Sequence, residues 1–156
     1  MYDLVIRGGT VVDGTGASKT NADIAVKDGI IVEIGKISGR TQSSIDATDL
    51  IVAPGFVDPH THYDAQICWD DLTSPSSWHG VTSVMMGNCG VGLAPCRPKD
   101  REVASWDLVN VEAIPFEVLK KGVTWDWETF PEYLNALENN KRDIDVCTLI
   151  PHAALR

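Results

Sequence analysis

The sequence predicts an α/β protein that changes from antiparallel strands to parallel βα units near residue 53. In residues 1–52, short apolar runs are separated by tight turns, which is typical of antiparallel strands paired in sequence. In residues 53–156, apolar strands alternate with longer polar or amphipathic segments, which is typical of a parallel sheet covered by helices. We therefore expect two units, residues 1–52 and residues 53–156.

The N-terminal strands are expected to form a meander. Asp28-Gly29 lies between two apolar runs and favours a type I′ hairpin turn, because glycine accepts the positive φ angle that this turn requires. The polar residues 38–44 predict an exposed loop. The apolar runs predict four strands, at residues 4–7, 10–13, 24–27 and 30–34.

The second unit should contain three parallel strands and two helices. The strands are expected at residues 56–58, 81–86 and 144–150, and each is a short apolar run of the kind that is buried in a parallel sheet. The helices are expected at residues 100–110 and 127–140, on the basis of apolar residues spaced three and four apart.

The second predicted helix has a clear start signal. Thr129 can cap it, and Glu132 stands three residues further on, where a capping box requires a glutamate. We expect the aromatic residues of this helix to lie in the core rather than to stack on a ligand.

Composition and charge narrow the class of partner. The formal charge of −9, from 13 basic and 22 acidic residues, disfavours nucleic acid and anionic membrane surfaces, which require a basic patch. No apolar run approaches the roughly 20 residues of a membrane span, and the N-terminus lacks the basic residues of a secretion signal. We therefore expect a cytoplasmic protein that acts on a small molecule. Four scattered cysteines indicate reduced thiols.

His60-Thr61-His62 is the most informative motif in the chain. It follows the predicted strand at residues 56–58, and residues two apart on a strand project to the same side, about 6.6 Å apart. Two imidazoles can then converge on one metal ion, and neutral imidazole is a common zinc ligand. The alternative is a pair of partly exposed histidines in a loop without a metal.

Polar side chains also follow the other two parallel strands. Asn88 and Cys89 come after residues 81–86, and His152 comes after residues 144–150. Because the carboxyl ends of parallel strands meet at one edge, we expect these side chains to face the histidine pair. A thiolate at Cys89 is a strong zinc ligand, although a free cysteine in the core is the usual alternative. For His152, a substrate contact and a structural role are both open.

Several motifs, taken together, give the sequence a specific resemblance. It resembles the N-acyl-D-amino-acid deacylases, or D-aminoacylases, of the metal-dependent amidohydrolase superfamily, along its full length. The motifs that carry the resemblance are residues 1–9, the Asp28-Gly29 hairpin, Ala53-Pro54-Gly55-Phe56-Val57-Asp58, His60-Thr61-His62, residues 76–82, Gly87-Asn88-Cys89-Gly90, Thr124-Trp125-Asp126-Trp127 and residues 151–156.

The resemblance implies a fold that this chain contains only in part. Residues 1–52 would be the N-terminal part of a small β-sandwich, which later strands complete. Residues 53–156 would be the first portion of a (β/α)8 TIM-like barrel. A closed barrel needs about 250 residues, so we expect the chain to be the N-terminal fragment of a longer protein. Homo-oligomerisation is left open.

The resemblance also implies roles for individual residues. His60, His62 and Cys89 would bind one or two zinc ions. The catalytic aspartate, like two further histidine ligands, would lie downstream of residue 156. The roles of the neighbouring residues are expected from their positions at the strand ends and not from the resemblance, and a solvated loop is the alternative for Asp64. The substrate-binding residues would be Tyr63, Asp64 and His152, and the residues that support the ligands from behind would be Asp58 and Asn88.

The activity implied is the metal-dependent hydrolysis of the linear amide bond of N-acyl-D-amino acids by the longer protein. The isolated fragment is expected to be inactive, because it would lack part of the ligand set and the proton-transferring aspartate. Two alternatives remain. One is a hydrolase of cyclic amides, similar to hydantoinases and dihydroorotases, and the other is a truncated chain without catalytic function.

Overall fold

The structure is a computed structural model that describes all 156 residues. It is a mixed α/β structure with two sheets, as the sequence predicts, and it divides into two compact units, Met1–Pro54 and Gly55–Arg156. The helices are all too short or too polar to cross a lipid bilayer. The strands are β1 (Tyr2–Val11), β2 (Thr20–Lys27), β3 (Ile30–Gly35), β4 (Thr41–Asp46), β5 (Ile51–Val52), β6 (Phe56–Asp58), β7 (Val81–Met86) and β8 (Asp145–Thr148).

The first unit is a five-stranded sheet in the order β3-β2-β1-β4, with β5 also paired to β1. Strands β1, β2 and β3 form the predicted antiparallel meander, and both residues of the Asp28-Gly29 turn have positive φ angles, of 51° and 75°, as a type I′ turn requires. The meander does not continue, because β4 and β5 pair with β1 in parallel.

Two predictions for the first unit were wrong. Residues 4–7 and 10–13 were expected as separate strands, but β1 is continuous and absorbs Gly8, at φ 70°, in a register shift between Ile6 and Gly9. The expected loop at residues 38–44 partly overlaps β4. Backbone pairing with β1 holds β4 in the sheet, and its side chains are mostly exposed, so its sequence lacks the apolar signal of a buried strand.

The second unit is a three-stranded parallel sheet in the order β6-β7-β8, with helices in the connections. Strands β6 and β7 have the predicted bounds, whereas β8 is shorter than predicted and ends at Thr148. The helices are α1 (Arg101–Glu112), α2 (Phe116–Gly122), α3 (Phe130–Glu138) and α4 (His152–Leu155). Helices α2 and α4 were not predicted, because both are too short to show an amphipathic period.

Helix α3 begins with the predicted capping box. The Thr129 hydroxyl accepts a hydrogen bond from the Glu132 backbone N–H, and the Glu132 carboxylate accepts one from the Thr129 N–H. The aromatic residues near this cap lie in the core, as expected: Trp127 and Tyr133 are both buried, with ring centroids 4.8 Å apart. The Trp127 indole N–H donates to the Leu93 carbonyl. This core supports the loops that follow β6 and β7.

Candidate metal centre

The His-x-His segment is fixed to the neighbouring strand by the residue between the histidines. Thr61 donates its backbone N–H and its hydroxyl to the Met85 carbonyl, at 2.9 and 2.8 Å. The side chain of Thr61 is therefore buried, and His60 and His62 flank it with their ring centroids 5.4 Å apart. Asp58 accepts a hydrogen bond from the His60 backbone N–H at 3.1 Å, which fixes the chain as it leaves β6.

A tight turn after β7 carries Cys89. Gly87, at φ 80°, begins this turn, and a Cβ atom there would collide with the carbonyl oxygen of Leu149. Cys89 itself has a left-handed backbone conformation, with φ 56° and ψ 12°, which is uncommon for a residue other than glycine and is often found at functional sites.

Asn88 connects the turn after β7 to the His-x-His segment. Its side-chain amide donates to the carbonyl of Thr61 at 3.2 Å and to that of Met85 at 2.9 Å. The amide therefore joins the two strand ends that carry the histidines and the cysteine. That Asn88 supports metal ligands stays a prediction, and the structure shows its contacts with the backbone of both segments.

The two strand ends bring His60, His62 and Cys89 together. The Nε2 atom of His60 lies 3.3 Å from the Sγ atom of Cys89, and one potential ligand atom from each of the three residues lies within 4.8 Å of the other two. Zinc–nitrogen and zinc–sulfur bonds of about 2.0 and 2.3 Å at a tetrahedral angle place N and S roughly 3.5 Å apart. Two imidazoles and a thiol at these separations fit a zinc ion.

A fourth residue, which the sequence did not indicate, lies beside His62. The Oε1 atom of Glu112 is 3.1 Å from the Nδ1 atom of His62, and each side chain is about four-fifths buried. Glu112 is the last residue of α1, fifty positions after His62. No motif or spacing connects the two residues, so only the fold shows that they meet.

Asp64 lies under the turn that carries Cys89. It is 2% exposed, so the solvated-loop alternative was wrong, and its Oδ2 atom accepts a hydrogen bond from the Gly87 N–H at 3.2 Å. Burial raises the pKa of Asp64 from 3.8 to about 6, partly offset by the hydrogen bond from Gly87 and by His62. The hydroxyl of Tyr133 donates to the Asp64 carbonyl at 3.1 Å. Asp64 thus joins the core to the Cys89 turn.

Tyr63 and His152 are both expected to contact substrate, but the structure buries Tyr63 and leaves His152 exposed. Tyr63 lies in the hydrophobic core, and its hydroxyl shares a 2.7 Å hydrogen bond with the Ser76 hydroxyl, so its expected place in an open pocket needs correction. Its position is a consequence of the chain turning inward after His62. His152 is exposed and, together with Cys89, lines a cavity of about 900 Å³.

More than half of the chain matches a known protein family. The model of the amidohydrolase family matches residues 44–156, which is more than half of the chain. The chain belongs to the amidohydrolase family. His60, His62 and Cys89 all fall within the matched residues.

Individual amidohydrolases are similar to the whole chain. A D-aminoacylase of Alcaligenes xylosoxydans is 33% identical over 156 residues, and the match covers 99% of this chain and 30% of the relative. A crystal structure of D-aminoacylase has a TM-score of 0.79 at 31% identity, covering 99% of this chain and 31% of that one. An N-acyl-D-glutamate deacylase of Bordetella bronchiseptica, solved with zinc and a phosphonate inhibitor, has a TM-score of 0.74 at 31% identity, covering 99% and 30%. The chain therefore spans about 30% of the length of these relatives.

Proposed function

We propose that this chain forms part of a metal-dependent hydrolase that cleaves the linear amide bond of N-acyl-D-amino acids. The observation that carries the proposal is the meeting of His60, His62 and Cys89 at the ends of two neighbouring parallel strands. Similarity to D-aminoacylase over 99% of the chain favours linear amides over the cyclic amides of the alternative hypothesis.

In this proposal His60, His62 and Cys89 hold zinc, as one ion or as part of a two-ion site. A soft thiolate beside two imidazoles is a ligand set that suits zinc better than magnesium or calcium, which prefer oxygen. Bound zinc supplies Lewis acidity, which lowers the pKa of water and polarises the acyl carbonyl. The proton acceptor would be an aspartate outside residues 1–156, as the resemblance to D-aminoacylases implies.

The surrounding residues would organise this site rather than react. Asn88, Asp58 and Asp64 fix the backbone of the two ligand-bearing segments through the hydrogen bonds described above. His152 is the residue best placed to contact a small-molecule substrate, because it is exposed at the cavity that Cys89 also lines. We assign Tyr63 a supporting role in the core instead of a substrate contact.

We also propose the finer assignment of the two units. Residues 1–52 would belong to a β-sandwich, and residues 53–156 would be the first portion of a (β/α)8 barrel. Exposed apolar side chains in each unit support this, since a completed sandwich and barrel would cover them. Ile30 and Ile31 are 65% and 58% exposed in the first unit, and Phe56 and Val57 are 66% and 69% exposed in the second.

The hydrolase proposal is tested with the complete gene product and a panel of N-acetyl-D-amino acids and their L-enantiomers. Acetate release from the D-series that is lost after chelation and restored by zinc is the expected result. The Cys89→Ala variant should lose bound metal and activity together. Activity on cyclic amides alone, or activity that survives complete removal of metal, would contradict the proposal.

A further inference from the structure

The contact between His62 and Glu112 lies outside the ligand cluster, and nothing in the sequence motifs accounts for it. The Nδ1 atom of His62 is buried without a formed hydrogen bond, and the Glu112 Oε1 atom lies 3.1 Å away. The 3.1 Å distance is within hydrogen-bond range, so a carboxylate acceptor lies beside a buried and unpaired imidazole nitrogen. Glu112 is not within ion-pair distance of any lysine or arginine, and His62 is the one titratable group within that distance; the nearby Asp64 carboxyl interacts with Glu112 through charge alone.

The position of Glu112 on its helix is electrostatically unfavourable. It is the last residue of α1, where the unpaired carbonyl groups form the negative end of the helix dipole and repel a carboxylate. Burial of about four-fifths of the side chain adds a desolvation cost. Helix stability therefore does not explain a glutamate here, whereas a role beside His62 does.

We propose that Glu112 is a positioning residue for His62. Its carboxylate accepts the Nδ1–H of the imidazole, which fixes the neutral tautomer whose Nε2 lone pair is free to bind metal. A carboxylate behind a metal-binding histidine also fixes the ring orientation and raises its basicity as a ligand. The proposal rests on the assignment of His62 as a metal ligand.

The surroundings of His62 support this arrangement. Asp64 is the other carboxyl group whose charge interacts with His62, but its Oδ2 atom is already bonded to the Gly87 N–H. The Nε2 atom of His60 faces the Cys89 sulfur. Glu112 is the one carboxylate within ion-pair distance of His62, so it is the acceptor available for the Nδ1–H.

The first experiment reads the tautomer directly in the metal-free 156-residue chain. Nitrogen-15 chemical shifts of the His62 ring, recorded in mildly alkaline buffer, should show protonated Nδ1 and unprotonated Nε2. Glu112→Ala should remove this preference, whereas Glu112→Gln should retain part of it, because the amide oxygen still accepts a hydrogen bond. An Nε2-protonated ring in the wild-type chain, or a tautomer unchanged in Glu112→Ala, would overturn the proposal.

The second experiment measures Co²⁺ affinity by absorption. Glu112→Ala should weaken binding by about 10- to 100-fold, the usual effect of removing such a partner, and the spectrum at saturation should stay the same. Glu102→Ala, at the exposed start of the same helix, is the matched control and should bind as the wild type does. A changed spectrum at saturation would make Glu112 a direct ligand, and unchanged affinity would remove its role; either result overturns the proposal.

The two experiments separate this inference from the hydrolase proposal. If the wild-type chain binds Co²⁺ through a thiolate and Glu112→Ala behaves identically, the positioning role fails while the ligand set stands. If the wild-type chain shows no thiolate-to-cobalt absorption band, the ligand assignment fails. The tautomer measurement in the metal-free chain still decides whether Glu112 orients His62.

Discussion

Thr61 joins the end of β6 to Met85 through two donors on one carbonyl, the backbone N–H at 2.9 Å and the hydroxyl at 2.8 Å. The amide of Asn88 donates to the same carbonyl at 2.9 Å. The Met85 carbonyl therefore accepts three hydrogen bonds that connect the segments carrying His60 and Cys89, and the Thr61 carbonyl accepts a further one from Asn88.

Thr61→Val should weaken both the fold and metal binding. The substitution keeps the shape of the side chain but removes the hydroxyl donor, while the Met85 carbonyl keeps two other donors. We expect a loss of about 1 kcal/mol in the free energy of unfolding, measured by urea denaturation, and weaker Zn²⁺ binding. Thr124→Val, at an exposed threonine of the same unit, should change neither quantity. Equal effects of the two substitutions would show that the Thr61 hydroxyl has no special role.

Gly87→Ala should cost more than Gly80→Ala, although both glycines have a φ angle of 80°. At Gly80 an added methyl meets Phe56 at an ordinary distance of 3.7 Å, so the cost is the left-handed backbone alone, about 1–2 kcal/mol. At Gly87 the methyl would also collide with the Leu149 carbonyl oxygen, which adds about 1–3 kcal/mol. Thermal and urea unfolding of both variants measure the difference. A smaller loss for Gly87→Ala would contradict the described turn.

Asp64 should make the metal-free chain less stable as pH rises. Burial raises its pKa from 3.8 to about 6, so the folded state holds this proton more tightly than the unfolded state does. The stabilisation is fully present below pH 3.8 and is lost as pH rises towards about 6, by an amount on the order of 3 kcal/mol. The neighbouring charges that act on Asp64 are His62, which lowers its pKa, and Glu112, which raises it.

The prediction for Asp64 is checked by measuring the free energy of unfolding from pH 3.8 to about 6, in the wild type and in Asp64→Asn. The asparagine oxygen can still accept the Gly87 N–H but does not titrate in this range, so the variant should show a flatter profile. Asp71→Asn, at an exposed aspartate of the same unit, is the control. If the wild type and Asp64→Asn show the same dependence of the unfolding free energy on pH, the raised pKa of Asp64 does not cause that dependence.

The sequence could predict those parts of the protein whose signal is local. Strand β7 has the predicted bounds because its run is short and bounded by Gly80 and Gly87, and Val84 and Met86 within it are buried. The meeting of His60 and Cys89 could be predicted because carboxyl ends of adjacent parallel strands share an edge, whatever the details of the loops. The capping box at Thr129 is equally local.

The remaining features depend on contacts that are distant in sequence. Glu112 reaches His62 only because the fold brings the last residue of α1 beside the segment that follows β6, and no periodicity in the sequence encodes that approach. Tyr63 follows His62 directly, but its direction depends on how the chain turns once it has left the strand, so the core position could not be deduced. Strand β4 is held by pairing with β1, and a mostly exposed polar segment gives no hydrophobic pattern to detect.

X-ray absorption at the zinc edge of the zinc-loaded 156-residue chain tests the central claim most directly. If His60, His62 and Cys89 bind the ion, the wild-type spectrum contains one sulfur neighbour at about 2.3 Å and two imidazole nitrogens at about 2.0–2.1 Å. The Cys89→Ser variant should lose the sulfur shell. A wild-type spectrum with only oxygen and nitrogen neighbours would contradict the account.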